Sequence, residues 1–303
     1  MFKIGPPRVL GKIATLRFMS TSSLLLASGR GWRVDDVRCT SGPHDRPFEE
    51  QHTGMCIAVV TGGTFTYRTT CGTAVLAPGA TLLGNDGHCF ECGHEHGIGD
   101  RCLAFRFSPE FVESVVSELP GARRLAFNQP NLPPLPQLIP VVADAVTARD
   151  GSGEASFEEL ALSVIAKVGL ALIGVDSPVR TNRLARSPTH RDQRRVTEAL
   201  RRIEAKCDQP LSLQQLAREA AVSPYHFLRI FHAVAGMAPH QFLLHTRLQR
   251  AAVRLSSTTD RISAIALEAG FSDLSTFNRR FRRLLGASPG AYRAARQRLV
   301  RVE

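Results

Sequence analysis

One helical pattern occurs twice in this chain, about fifty residues apart, and no other feature restricts the fold as much. The second copy is Ile265–Arg293, IALEAGFSDLSTFNRRFRRLLGASPGAYR. It reads as a helix, a tight turn at Gly270 and a second helix rich in arginine. Ala266 is small enough for two helices to cross closely, and Gly270 can take the positive φ that a sharp inter-helix turn needs. Phe277, Phe281 and Leu284 recur at intervals of four and three, so they share one buried face. Leu274, Ser275, Asn278, Arg279 and Arg282 share the opposite one. The first copy is Leu216–Arg247. In it Leu216-Ala217 matches Ile265-Ala266, Ala220-Ala221 matches Ala269-Gly270, and Val222-Ser223 matches Phe271-Ser272. After a one-residue difference in the turn, Phe227, Phe231, Gly236 and Pro239 match Phe277, Phe281, Gly286 and Pro289. Between the copies, Pro239–Leu255 has helical periodicity and spans about 25 Å at 1.5 Å per residue. That length suits holding two helices near successive major grooves, about 34 Å apart along a duplex.

At these residues the chain resembles the AraC/XylS family of bacterial transcription regulators, over roughly Arg194–Arg298. The resemblance implies a tandem helix-turn-helix domain that binds double-stranded promoter DNA, and RNA polymerase as a partner if the protein activates. It implies that Tyr225, Leu228 and Arg229 meet base edges from the first recognition helix, and Leu274, Ser275, Asn278 and Arg279 from the second. Side-chain chemistry supports some of these: arginine grips guanine O6/N7 bidentately, and asparagine does the same at adenine N6/N7. Leu228 and Leu274 can make only apolar contacts, such as with a thymine methyl. Arg280, Arg282 and Arg283 are expected on phosphates, where they position without specifying sequence. For the first half, the resemblance implies a cupin-like β-barrel that senses a small-molecule or metal effector, followed by helices through which many members form homodimers.

Charge is divided in the same sense. Residues 180–303 carry 23 Lys+Arg against 9 Asp+Glu, a balance of +14, whereas residues 1–179 carry 15 against 18, a balance of −3. Nearly all the basic character therefore accompanies the repeat, as a half that meets phosphates requires. Seven cysteines at irregular spacing, with no convincing secretory signal, point to a reducing compartment, and the resemblance implies that this is the bacterial cytoplasm. No apolar run reaches the eighteen or more residues of a membrane span.

The expected fold class is α+β: a cupin-like barrel with following helices, then an all-α domain of two helix-turn-helix units. Residues 1–29 read as a disordered leader or an over-long start with Met19 as initiator, residues 30–177 as the sensor and dimerisation domain, 178–193 as a linker, and 194–303 as the DNA-binding domain. Strand-like segments at Val34–Cys39, Met55–Val60, Thr64–Arg68, Ala74–Ala77 and Leu103–Phe107 alternate with Gly, Pro and Asp turns, the pattern of a sandwich or small barrel. Helical patterns follow at Phe111–Leu119, Leu135–Ala148 and Ser156–Ile173. Leu160, Val164, Val168 and Leu172 form an apolar stripe that the barrel or a second subunit must cover. Ser212 is a suitable N-cap for Leu213–Ala220.

The densest chemistry of the first half is His88–Cys102, in which nine side chains could ligate a metal. Cys92, His94, His96 and Cys102 could supply a tetrahedral set for zinc or a related transition metal, although the spacing matches no standard zinc finger. Cysteines beside basic groups could instead be thiolates open to oxidation, and a polar loop without metal is the third reading. His44 and His52 could face a ligand cavity or be satisfied loop histidines. Enzyme readings fit poorly. No Pro-Cys-His tripeptide of an alkyl-transfer repair protein occurs, and the histidines are not spread over two strands as in a cupin metalloenzyme.

Overall fold

The computed structural model describes residues 21–47, 49–95, 99–118, 125–150, 156–175 and 188–299, with the side chains of 173–175 and 297–299 excepted. The expected linker 178–193 is described only from residue 188, and the leader only from residue 21. Strand β1 (Thr21–Gly29) pairs with β2 (Trp32–Cys39), so residues 21–29 are part of the sheet rather than a leader. The chain continues through β3 (Glu49–Gln51), β4 (Met55–Gly63), β5 (Phe65–Thr69), β6 (Gly72–Leu76), β7 (Thr81–Gly84), β8 (Cys89–Gly93) and β9 (Asp100–Phe107). Helix α1 (Pro109–Ser117), β10 (Asn131–Leu132), a 3-10 turn at Pro136–Leu138, α2 (Ile139–Arg149) and α3 (Phe157–Val175) complete the first half.

The strands form two sheets, one of order β1-β2-β9-β4-β7-β10 and one of order β3-β8-β5-β6. Among the described residues no strand pairing joins them, so the expected barrel is an open sandwich. The central strands β4 and β9 of its larger sheet are buried on both sides. Cys56, Ala58, Val60, Cys102 and Ala104 pack inward against Phe65, Tyr67 and Leu76 of the smaller sheet. Ile57, Val59, Leu103, Phe105 and Phe107 pack outward against α1, α2 and α3. Double burial explains why β4 and β9 read as continuous apolar runs without alternation. The stripe on α3 joins this outer core: Leu160, Val164 and Val168 are buried against the same cluster, so the molecule covers the stripe itself.

Helix α4 (His190–Lys206) begins four residues before the Arg194 start expected from apolar periodicity. Thr189 and Asp192 form a reciprocal capping box that fixes the earlier start. Then come α5 (Leu213–Glu219), α6 (Pro224–Ala235), α7 (Pro239–Ser257), α8 (Ile262–Glu268), α9 (Leu274–Leu285) and α10 (Pro289–Leu299). The α7 helix closes two cores. At its start Phe242 and Leu243 join Val196, Leu200, Phe227 and Phe231. Further along, Leu248, Ala252 and Leu255 join Ile265, Phe277, Phe281 and Tyr292.

Both cores extend into the first half of the chain. Val75 and Ala77, at the end of β6, belong to the first, and Ile139 and Ala143 of α2 belong to the second. Asp144 of α2 accepts two hydrogen bonds from Arg296 of α10 at 2.7 and 2.8 Å, and the Glu204 carboxylate accepts one from the Gly63 amide at 3.2 Å.

Candidate nucleic-acid interface and effector cavity

Each helix-turn-helix unit is built by local signals. Ser212 caps α5 by accepting from the Gln215 amide at 3.1 Å. Ser223 caps α6 through the His226 amide at 3.2 Å, and Asp273 caps α9 through the Thr276 amide at 2.6 Å. Gly236 and Gly286 end α6 and α9 in the left-handed conformation. The turn inside the second unit places Gly270 at φ +86°, where a Cβ would lie 2.7 Å from the Cys207 carbonyl oxygen. The equivalent position of the first unit is Ala221, the one non-glycine residue at positive φ among those described, at +53°.

Phe227, Ile230 and Phe231 bury one side of α6, and Phe277 and Phe281 bury one side of α9. The residues expected at base edges all lie on the exposed sides: Tyr225, Leu228 and Arg229 on α6, and Leu274, Ser275, Asn278 and Arg279 on α9. Tyr225 is 77% exposed and Leu274 42%, an unusual investment of apolar surface for residues with no contact to make. Arg282 and Arg283 extend the exposed face. Arg280 differs: it is half-buried and lines a cleft with His240 and Phe271. Among the described residues no ion pair engages Arg229, Arg279, Arg280, Arg282 or Arg283, whereas Arg254 is paired with Asp260 and Glu268.

A model of a helix-turn-helix domain matches residues 216–295. A helix-turn-helix transcriptional regulator of Mycobacterium tuberculosis is 41% identical over 81 residues, 27% of this chain and 31% of that protein. The right origin-binding protein of Escherichia coli is 37% identical over 91 residues, 30% of this chain and 32% of that protein. Residues 216–295 thus form a helix-turn-helix domain similar to those of these proteins. The chain spans about a third of the length of these curated relatives. A solved AraC-type regulator from Chromobacterium violaceum is 34% identical and covers 34% of this chain and 93% of that chain, with a TM-score of 0.32.

In the first half the notable feature is a cavity of about 830 Å³ inside the sandwich. Phe65, Leu82 and Phe90 give it apolar walls; Glu50, His52, Asp100 and Arg106 bring polar groups to it. Arg106 pairs with Asp35, which is fully buried. His52 is both a satisfied histidine and a cavity residue. Its Nε2 is 2.7 Å from the Tyr67 hydroxyl, and its ring stacks on Phe90 with centroids 4.1 Å apart. Gly84 leaves the space that this ring occupies, since a Cβ there would fall within 2.5 Å of it. Burial, assisted by Arg106 and His88, lowers the His52 pKa to about 4, so the ring stays neutral.

Of the metal ligands expected at Cys92, His94, His96 and Cys102, the three among the described residues do not group together. His96 lies outside the described residues. Cys92 and Cys102 line the cavity. His94 leaves the strand after Gly93 and turns its ring to Asp100, with Nε2 and Oδ2 2.5 Å apart. Its third neighbour is Cys39: one ligating atom from each of Cys39, His94 and Asp100 lies within 4.8 Å of the others. Strand alternation would put Cys92 and His94 on one face, but β8 ends at Gly93 and His94 lies beyond it. Phe90 and Cys92 pack toward the inter-sheet core, while Glu91 meets Arg68.

Proposed function

We propose that this chain is a sequence-specific, DNA-binding transcription regulator, and not an enzyme, whose N-terminal sandwich senses an effector in the 830 Å³ cavity. The observation that carries this reading is the outward face of α9, where Asn278, Arg279, Arg282 and Arg283 are exposed without an ion-pair partner among the described residues, over a side closed by Phe277 and Phe281. Uncompensated arginines on a helix whose other side is locked in place suit a major groove and its phosphates. Base edges are read by Tyr225, Leu228, Arg229, Leu274, Ser275, Asn278 and Arg279; phosphates are met by Arg282 and Arg283, with Arg280 behind them. The partners are promoter DNA, RNA polymerase where the protein activates, a small effector and a second copy of the chain, in the bacterial cytoplasm. Among the described residues no helix is long and apolar enough to cross a membrane.

A resident zinc or related ion is not part of this reading. His94 and Asp100 already satisfy one another, which leaves Cys39 and one ring nitrogen, short of the four donors of a closed site.

Selection of binding sites from a random duplex library, followed by titration of the selected site, tests the proposal. Arg279→Ala should weaken binding to the selected site by about 1–3 kcal/mol and binding to random DNA little. Equal loss on both would remove Arg279 from the base readers, and failure to enrich any site would overturn sequence-specific recognition.

A further inference from the structure

Four cysteines, Cys39, Cys56, Cys92 and Cys102, line the sandwich cavity; Cys39 stands beside both members of a histidine–carboxylate pair, and Cys102 donates only to the Asp100 carboxylate, at 3.5 Å. We propose that Cys39 is a thiolate nucleophile, supported by His94 and oriented through Asp100, that captures small α,β-unsaturated carbonyl compounds in the cavity. This deepens the regulator reading by naming the effector's chemical class, and it rests on that reading only for its consequence at DNA.

The site is assembled across the sandwich. Cys39 ends β2 opposite Asp100 on β9 in the larger sheet. His94 arrives from the smaller sheet, directly after β8. The His94 side chain has no solvent exposure, and Asp100 takes its Nε2. Its Nδ1 is buried and makes no hydrogen bond of good geometry among the described residues, so the neighbouring Cys39 sulfur is the group left to use a proton there. The Ser41 hydroxyl accepts from the Cys39 thiol at 3.2 Å, and by rotating it can donate to the sulfur once that is a thiolate. An unpartnered buried ring nitrogen is costly, and an imidazolium facing a thiolate removes that cost.

The other thiols show the contrast. Burial raises Cys92 and Cys102 well above the ordinary thiol range, and Cys56 to about 11. At Cys39 burial acts in the same direction, but hydrogen bonding to His94 and Ser41 outweighs it and the pKa falls below the ordinary value. For His94, burial opposes the charge, yet Asp100 and Cys39 outweigh it and raise the pKa to about 9.

The cavity accounts for the substrate class. Its volume suits a small organic ligand, and Phe65, Phe90 and Leu82 offer flat apolar walls to a conjugated compound. Exposed Gln51 and Asp86 on its lining mark a route from solvent. In the reaction the Cys39 sulfur forms a bond to the β-carbon and the alkene electron pair moves to the α-carbon. That carbon then takes the proton from the His94 imidazolium, leaving a thioether and a neutral histidine. The adduct fills the space between the sheets and removes the charge pair that links them, which gives the sandwich two states of different stability.

The test uses the full chain, reduced and treated with chelator, exposed briefly to limiting N-ethylmaleimide at pH 6 to 9. Mass spectrometry then reads the labelling rate at each cysteine. Cys39 should react at least about ten times faster than Cys92 and Cys102 at pH 7, as expected for a pKa at least one unit lower. His94→Gln should move the midpoint of the Cys39 pH profile upward and slow its labelling at pH 7 about ten-fold. Labelling of half-buried Cys71, which is outside the trio, should not change. Asp100→Asn should shift the same profile in the same direction. Equal labelling of Cys39 and Cys92, or an unmoved profile in His94→Gln, would overturn the proposal. So would a stoichiometric metal in the untreated protein that protects Cys39 until chelator is added. Because the wild-type rates need no variant, a variant that fails to fold leaves the test intact. Labelled protein should bind the selected DNA site differently from unlabelled protein, and Cys39→Ser should abolish that difference. Loss of DNA recognition with fast Cys39 labelling would count against the regulator reading alone.

Discussion

Ala221 and Gly270 occupy one structural position in two copies of one motif, yet only the second copy has the residue that the backbone favours. Alanine in the left-handed region costs about 1–2 kcal/mol, against the larger unfolded-state freedom of glycine. Ala221→Gly should therefore be neutral or stabilising by up to about 1 kcal/mol. Gly270→Ala adds a clash with the Cys207 carbonyl to the same strain and should cost about 1–3 kcal/mol or more. Thermal unfolding of the two variants reads the asymmetry directly, and equal effects would show that the two turns tolerate a side chain alike. His52 makes a second residue-scale prediction, with its sign set by its environment. Its pKa of about 4 in the fold lies below the 6.5 of a free histidine, so the unfolded chain binds a proton that the native state refuses. Stability should fall as pH drops from about 6.5 toward 4, with no contribution from His52 above that window. In His52→Gln, which can still reach Tyr67, that part of the fall should disappear from urea titrations.

Among the elements, α9 in the proposed reading separates two jobs along its exposed side. Arg282 and Arg283 lie beyond the proposed base-reading positions and have no ion-pair partner among the described residues. Replacing both with alanine should lower the slope of log binding constant against log salt by up to about two, with sequence preference unchanged. An unchanged slope would return them to the solvated surface. Elements of this kind were legible in the sequence because their determinants are contiguous: Phe277 and Phe281, four apart, and the Ser212 cap. The sandwich was less so. Strands β4 and β9 could be read at Met55–Val60 and Leu103–Phe107 as continuous apolar runs, whereas β3 is only three residues long and wholly polar. Strand β1 carries exposed Leu24 and Leu25 at a sheet edge, which a pattern based on burial does not detect. The trio of Cys39, His94 and Asp100 was hidden for another reason. It depends on which residues face one another across two sheets, while the crowding of histidines and cysteines from His88 onward drew attention to neighbours that separate in space.

For the whole molecule, the determining contacts are those between its halves. Asp144 and Arg296 are both largely buried, doubly hydrogen-bonded, and placed where α2 meets α10, with the Arg296 guanidinium 3.7 Å above the Tyr292 ring. Removing either partner leaves the other charge short of hydrogen bonds, so Asp144→Ala should cost about 1–3 kcal/mol in urea unfolding. Arg296→Ala on top of it should add little, because the two act as a unit. Strictly additive losses would show that each stabilises the molecule separately.

The cores closed by α7 also bear on how such a chain can be re-engineered. Ile139 and Ala143 are interior residues of the same cluster as Phe277 and Phe281, although they come from opposite sides of the presumed boundary. Cutting between residues 175 and 190 would divide that interior and leave a greasy scar on both pieces. Transplanting the DNA-reading part onto a foreign sensor, as a cassette, would require carrying α2 along or repainting the α7 surface it covers.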